Sequence, residues 1–395
     1  MLDLTKHPFL KYILFGNLYF SEGLIFALTT VVIVLFFNEK GISISVTTLV
    51  AGLASVPWIM KFIFGPTIDF FGKYGRKLFI IIGGVIGGFS IFLVAFADPS
   101  DSLIIFTLLF FIGHSGVVLL DVAADAWAIQ VTKNEEKGKL NAAMTVGLFA
   151  GTAFGNILLA FIATYYGFEL VFITTSLLIV TSIILSLFVR EHKIVIKRKI
   201  LKPLLIKEFR KKNTQKVILF DFVAAVNFGM LLFVIPEYTT NVLMLDKLQT
   251  GLLTAVYPIS IVIGAAMGGS ASDRWGRKKI LYFTLTGLLI SSGLLITVDT
   301  WEKLAIIYTM IGFLTGASIY SAMAALLMDI TNPKIGGAQY SFLASIANFG
   351  EIGIGIISGS LVVILGYQRY FLYTALVVGV ALFLLYFVKE TIKKT

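Results

Sequence analysis

Apolar residues run along this chain in twelve long blocks, each closed by a short polar or charged turn. The blocks lie near residues 12–36, 45–69, 78–97, 102–130, 139–165, 168–189, 214–241, 249–272, 280–299, 303–331, 337–365 and 368–388. Each reaches the roughly 20 residues that a helix needs to cross the hydrocarbon core of a bilayer. The pattern predicts an all-α membrane protein with twelve transmembrane helices. The polar interruptions repeat: GPTIDFFGKYGRKLF at 65–79 returns as GSASDRWGRKKI at 269–280. Asp69 and Asp273 are 204 residues apart, and so are Asp125 and Asp329. A shared offset of this kind marks a duplicated unit. It predicts two six-helix halves, residues 1–189 and 214–395, joined by a basic segment at 190–213.

Charge then gives orientation. The chain is 58% hydrophobic, only 14% charged, and carries a net charge of +10. Of its 32 Lys and Arg residues, 27 fall in the termini and in the loops that share their side of the membrane. Positive residues gather on the cytoplasmic face, so both termini are expected inside the cell and the protein in the cytoplasmic membrane. The basic excess is a topology signal, and nucleic acid is not an expected partner. Between the halves, the Lys/Arg-rich 190–216 stretch also carries Ile and Leu. It fits either an interfacial segment on anionic lipid or a solvated tether. With no Cys and three His, thiolate and multi-histidine metal sites are not expected. No cofactor is expected either. A GxxxxGK[ST] phosphate loop is absent from the sequence, which excludes ATP drive from this chain.

The second elbow, Gly269-x-x-x-Asp273-Arg274-x-Gly276-Arg277-Lys278, resembles the signature loop of the major facilitator superfamily. The first elbow is longer, with seven positions from Asp69 to Arg76 against four from Asp273 to Arg277. Together with PWIMKF, DVAADAWAIQ and NLYFSEGL it is similar to the branch of muropeptide permeases and acetyl-coenzyme A transporters. This resemblance implies a fold of two pseudo-symmetric six-helix bundles that usually acts as a monomer. It also implies that Gly65, Asp69, Arg76 and Asp125, with Gly269, Asp273, Arg277 and Asp329, form a gating network on the cytoplasmic side. Charged residues that merely pin helix ends would have the same pattern.

Ionisable residues within the apolar blocks are costly, roughly 2.5–3.5 kcal/mol each on insertion scales, so they usually face a cavity or a partner. Glu22, Lys61, His114, Asp121, Asp221, Glu237 and Glu351 form this set. At about 1.5 Å per residue, Glu22 and His114 both lie near the midplane. The resemblance places the first, fourth, seventh and tenth helices around the cavity and would bring these two together. Glu22, His114 and Glu351 are therefore candidates for proton coupling. His114, Asp121 and Asp125 share one helical stripe. Lys61 lies at the depth of Asp121, either paired with it or free to grip an anionic group. Asn227, Tyr257, Tyr320 and Asn348 are further candidates for the cavity wall.

These features lead to an expected secondary active transporter rather than an enzyme. Its expected partners are a small organic solute, protons and membrane lipids. Proton symport of a partly anionic solute is the first expectation, because of the branch resemblance. Export of drugs or organic cations by proton antiport is the alternative, because the deep charges are mostly acidic. A channel or lipid scramblase is a third class, without a filter-like motif to support it.

Overall fold

The computed structural model describes Leu4 and residues 8–132, 136–191, 202–332 and 335–390. Among these residues twelve helices are long and apolar enough to cross a membrane. We number them α1 (Phe9–Glu39), α2 (Ile44–Ile68), α3 (Arg76–Val94), α4 (Leu103–Val131), α5 (Gly138–Tyr165) and α6 (Phe168–Phe188). The second set is α7 (Lys212–Asn241), α8 (Lys247–Trp275), α9 (Arg277–Thr297), α10 (Trp301–Ile330), α11 (Gln339–Leu365) and α12 (Tyr367–Phe387). A separate short helix, Lys202–Phe209, occupies the described part of the linker.

Several helices depart from regular geometry for reasons legible in their residues. Pro57 has no amide hydrogen to donate and crowds the preceding turn. Pro57 nevertheless lies within the first stretch of α2, which ends at Ile59, and a new helical stretch starts at Lys61. On α7 the break at Phe233 does fall in the turn before a proline, Pro236. Two π-helical turns interrupt α1 at Leu28–Val32 and α10 at Ser318–Met323. Such turns widen the backbone and are frequent where side chains are functional.

The chain folds as two compact units. The first comprises residues 1–43, 50–197 and 246–255, and the second 44–49, 198–245 and 256–395. In the first, α1 packs along α5, while α3 packs on α4 and α6. The second repeats the scheme, with α7 along α11 and α9 on α10 and α12. Glycine sets the closest approaches: a Cβ on Gly23 would stand 2.1 Å from the Leu148 carbonyl oxygen, and one on Gly229 2.1 Å from that of Glu351. Only hydrogen in place of a side chain lets these backbones meet. Asparagines tie the first helix of each unit to its last, α1 to α6 and α7 to α12. Asn17 Nδ2 donates to the Ser182 carbonyl at 2.7 Å, and Asn227 Nδ2 to that of Thr374 at 3.0 Å.

Candidate functional site

The first unit holds a charged cluster built from α1, α2 and α4. Trp58 and Lys61 lie on either side of the helix discontinuity at Met60. Lys61 Nζ lies 2.6 Å from Asp121 Oδ2, and Asp121 is almost wholly buried. The contact is charge to charge, without the angles of a regular hydrogen bond. The same ammonium stands 4.6 Å from the Trp58 ring centroid, a cation–π distance. One turn along α4, Asp125 Oδ1 accepts the Tyr19 hydroxyl at 2.5 Å.

Glu22 stands on α1 beside Asp121, within hydrogen-bond reach, and its Oε2 is buried with no hydrogen-bond partner among the described residues. Ionised carboxylates only accept, so Glu22 and Asp121 share a hydrogen bond only when one of them carries a proton. The cluster therefore sets three carboxyl groups around one ammonium, with an arrangement that can hold or release a proton.

Both ring nitrogens of His114 have side-chain partners on neighbouring helices. Trp58 Nε1 donates to His114 Nδ1 at 2.9 Å, and His114 Nε2 lies 2.9 Å from Thr29 Oγ1. Indole nitrogen is only a donor, so Nδ1 must be the bare nitrogen. Thr29 sends its own hydrogen to the Ile25 carbonyl at 2.6 Å, which leaves its oxygen to accept from His114 Nε2–H. Both ring nitrogens are thus engaged in one neutral tautomer. Trp58, Tyr19 and Thr29 were not singled out in the sequence. An aromatic residue or a threonine inside an apolar block carries no signal of its own until the faces that meet are known.

The two elbows are held by parallel contacts. In the second unit Arg277 Nη1 meets Asp273 Oδ1 at 2.9 Å and its Nε meets Asp329 Oδ2 at 2.6 Å. Gly276, just before α9, has φ +93°, and Gly75 before α3 repeats the value. The amide of Arg277 donates to Glu390 at 2.6 Å, just as that of Arg76 donates to Glu191 at 2.6 Å. A carboxylate at a helix N-terminus meets unpaired amides and the positive end of the dipole. Lys278 Nζ donates to the Tyr386 and Val388 carbonyls, and Lys77 Nζ to those of Leu187 and Val189. Each elbow is therefore clasped to the end of the last helix of its own half. The signal was available in Arg190–Glu191 and Lys389–Glu390, which follow the sixth and twelfth blocks. Arg76 is buried, and the side chain of Asp69 lies outside the described residues. Gly65 faces Val122 of α4, and Gly269 faces Ser321 of α10.

The remaining candidates belong to the second unit. Tyr257 stacks on Tyr308 with centroids 4.5 Å apart and lies against Phe228, which also meets Tyr320 edge-on. Tyr320 sits in the π-helical turn of α10. Glu351 lies within electrostatic range of Tyr257, and Glu351 and Asn348 are half-buried on α11. The amide of Asn227 is committed to α12, as described above. Among the described residues no group of His, Asp and Glu has the arrangement of a metal site.

The described part of the linker adds contacts that the sequence did not foresee. Its helix is docked on the second unit, with Glu208 buried and its Oε1 accepting from Asn332 Nδ2 at 3.0 Å. Phe209 packs on Phe342 at 5.0 Å.

Comparison with known proteins decides the family. The model of the Major Facilitator Superfamily matches residues 16–220 and again 217–395. The chain belongs to the major facilitator superfamily. Within it, the chain is 22% identical over 367 residues to a protein named as transporter AmpG 1 of Rickettsia bellii, covering 87% of this chain and 89% of that one. It is 25% identical to the multidrug resistance protein MdtG of Salmonella choleraesuis, covering 87% of this chain and 83% of the relative. A solved bacterial homologue of the human lysosomal transporter Spinster, in an inward-facing and unoccupied conformation, superposes with a TM-score of 0.75. That match covers 98% of both chains at 14% identity, so it speaks for the superfamily fold. The protein is accordingly a multi-pass membrane protein with the twelve apolar helices of superfamily transporters.

Proposed function

We propose that this protein is a secondary active transporter that moves an organic solute across the cytoplasmic membrane by alternating access, driven by protons. Both termini face the cytoplasm in this reading, and one chain suffices for transport. The observation that carries it is the Glu22–Asp121–Lys61 cluster. A proton entering between the two carboxyl groups weakens the hold of Asp121 on the Lys61 ammonium. The freed ammonium then accepts a carboxylate or phosphate group of the solute. Release of the solute lets Lys61 return to Asp121 and expels the proton. Proton and solute travel in the same direction, which is symport of a partly anionic solute. Similarity to the AmpG-named transporter supports this choice.

A second reading has its own support. Three carboxyl groups around one ammonium leave an acidic surplus that suits an amine or organic cation exchanged for protons, and similarity to a multidrug resistance protein agrees with it. Proton flux in proteoliposomes with a pH-sensitive dye separates the two. Wild type is offered peptides, amino sugars, coenzyme A thioesters and lipophilic cations. We expect a saturable proton influx with an anionic solute that falls to the empty-liposome level in Glu22→Gln and in Lys61→Gln. Proton efflux driven by a lipophilic cation, with Lys61→Gln still active, would replace symport by antiport. Normal coupling in Glu22→Gln would remove Glu22 from the mechanism.

A further inference from the structure

His114 is buried, yet both its nitrogens are taken by neighbours that carry no charge. Its neighbours form a chain across three helices: the Ile25 carbonyl, Thr29 in the π-turn of α1, His114 on α4, Trp58 on α2, and then the Lys61 ammonium over the indole face. Phe110 packs edge-on against the imidazole at 5.2 Å and closes its remaining side. A histidine fixed at both ends in one tautomer orients the ring that donates to it. An indole free to rotate about its side-chain bonds would present its edge or face to Lys61 in turn, and only the face attracts a cation.

We propose that His114, held by Thr29, is a positioning residue that sets the Trp58 indole beneath the Lys61 ammonium and so keeps this lysine at Asp121. Trp58 is then the second seat of the ammonium when Asp121 loosens its grip. In this arrangement the ammonium stays on the indole face while its anionic partner changes from Asp121 to the solute. The inference rests on the transport reading for its purpose, but its geometry is tested without solute or proton gradient.

Two measurements on the full-length protein test it. The first is 15N spectroscopy of the histidine-labelled protein in nanodiscs, with His114 assigned by the resonance missing in His114→Gln. We expect a neutral ring with bare Nδ1 and protonated Nε2, and an Nδ1 resonance that moves in Trp58→Phe, which keeps an aromatic face but loses the donor. The opposite tautomer, an imidazolium, or an Nδ1 indifferent to Trp58→Phe overturns the proposal.

The second measurement follows acylation of Lys61 by acetic anhydride, read by peptide mass spectrometry. Loss of a partly exposed cation–π seat corresponds to about a two- to fivefold faster reaction in Trp58→Leu. His114→Phe and Thr29→Val should move in the same direction, while Trp58→Phe retains most of the protection. Unchanged acylation in folded Trp58→Leu and His114→Phe, with thermal stability alone reduced, would reduce both residues to packing. Because neither readout involves transport, a wild type that moves no protons with any solute would overturn the transport reading and leave this result standing.

Discussion

Glu22 owes its place to the residue that follows it. A Cβ on Gly23 would lie 2.1 Å from the Leu148 oxygen, 2.6 Å from the Thr152 nitrogen and 2.9 Å from the Gly151 carbon, all of them backbone atoms. No rotamer change relieves such contacts, so α1 and α5 must separate. Overpacking of this kind costs about 1–3 kcal/mol. Thermal unfolding in detergent should therefore show Gly23→Ala destabilised by that amount, with the Glu22–Asp121 contact disturbed. Gly353 on α11 is the control, since a Cβ there meets nothing within 4 Å, and Gly353→Ala should lose little. At this scale the sequence was informative about charge and poor about partners. Glu22, Lys61 and Asp121 stood out because ionisable groups are costly in an apolar block. That Asp125 would take the Tyr19 hydroxyl, or His114 the Trp58 indole, depends on which helical faces meet. Spacing along a single helix does not determine that.

The helices themselves were legible because length and hydropathy alone define a membrane span, and the structure moves their ends by only a few residues. The linker was less so, since Lys, Ile and Leu suit a membrane surface and a tether alike. Its helix is decided by one acid. Burial of Glu208 opposes its charge, but hydrogen bonds from Lys211 and Asn332, with the charges of Lys211 and Lys207, outweigh burial. Its carboxyl is held below the usual carboxylate range in the folded protein. A depressed folded-state value contributes stability that is present above the ordinary glutamate value, about 4.3, and is lost as pH falls through the lower folded value. Hydrogen-exchange protection over Lys202–Phe209, taken relative to the intrinsic rate at each pH, should thus be high near neutrality and fall as the medium becomes acidic below that range. Glu208→Gln should be faster at neutral pH and show a weaker pH dependence. Equal protection in wild type and variant at every pH would remove Glu208 as the anchor.

For the whole molecule, the 204-residue offset proved the most informative feature, because duplicated sequence folds into duplicated packing. The two units repeat α1 on α5 as α7 on α11, and both elbows end on a glutamate that follows the last helix of their half. What the offset does not convey is asymmetry: the first unit holds a charged cluster on α1, α2 and α4, whereas the second holds an aromatic stack of Phe228, Tyr257 and Tyr308. Orientation is a property of the same scale, set by the sum of many loop charges. The absence of cysteine from the chain makes it directly measurable. Lys73 and Arg274 are exposed in basic elbows, whereas Ser100 and Met244 are exposed in loops on the opposite side. In intact cells a membrane-impermeant maleimide should label Ser100→Cys and Met244→Cys and spare Lys73→Cys and Arg274→Cys until the membrane is opened. The reverse pattern would invert the molecule, placing the elbows and the linker outside and turning the proposed symport into a carrier facing the wrong pool. Labelling of one elbow without the other would break the duplicated topology itself, because an even number of spans separates them.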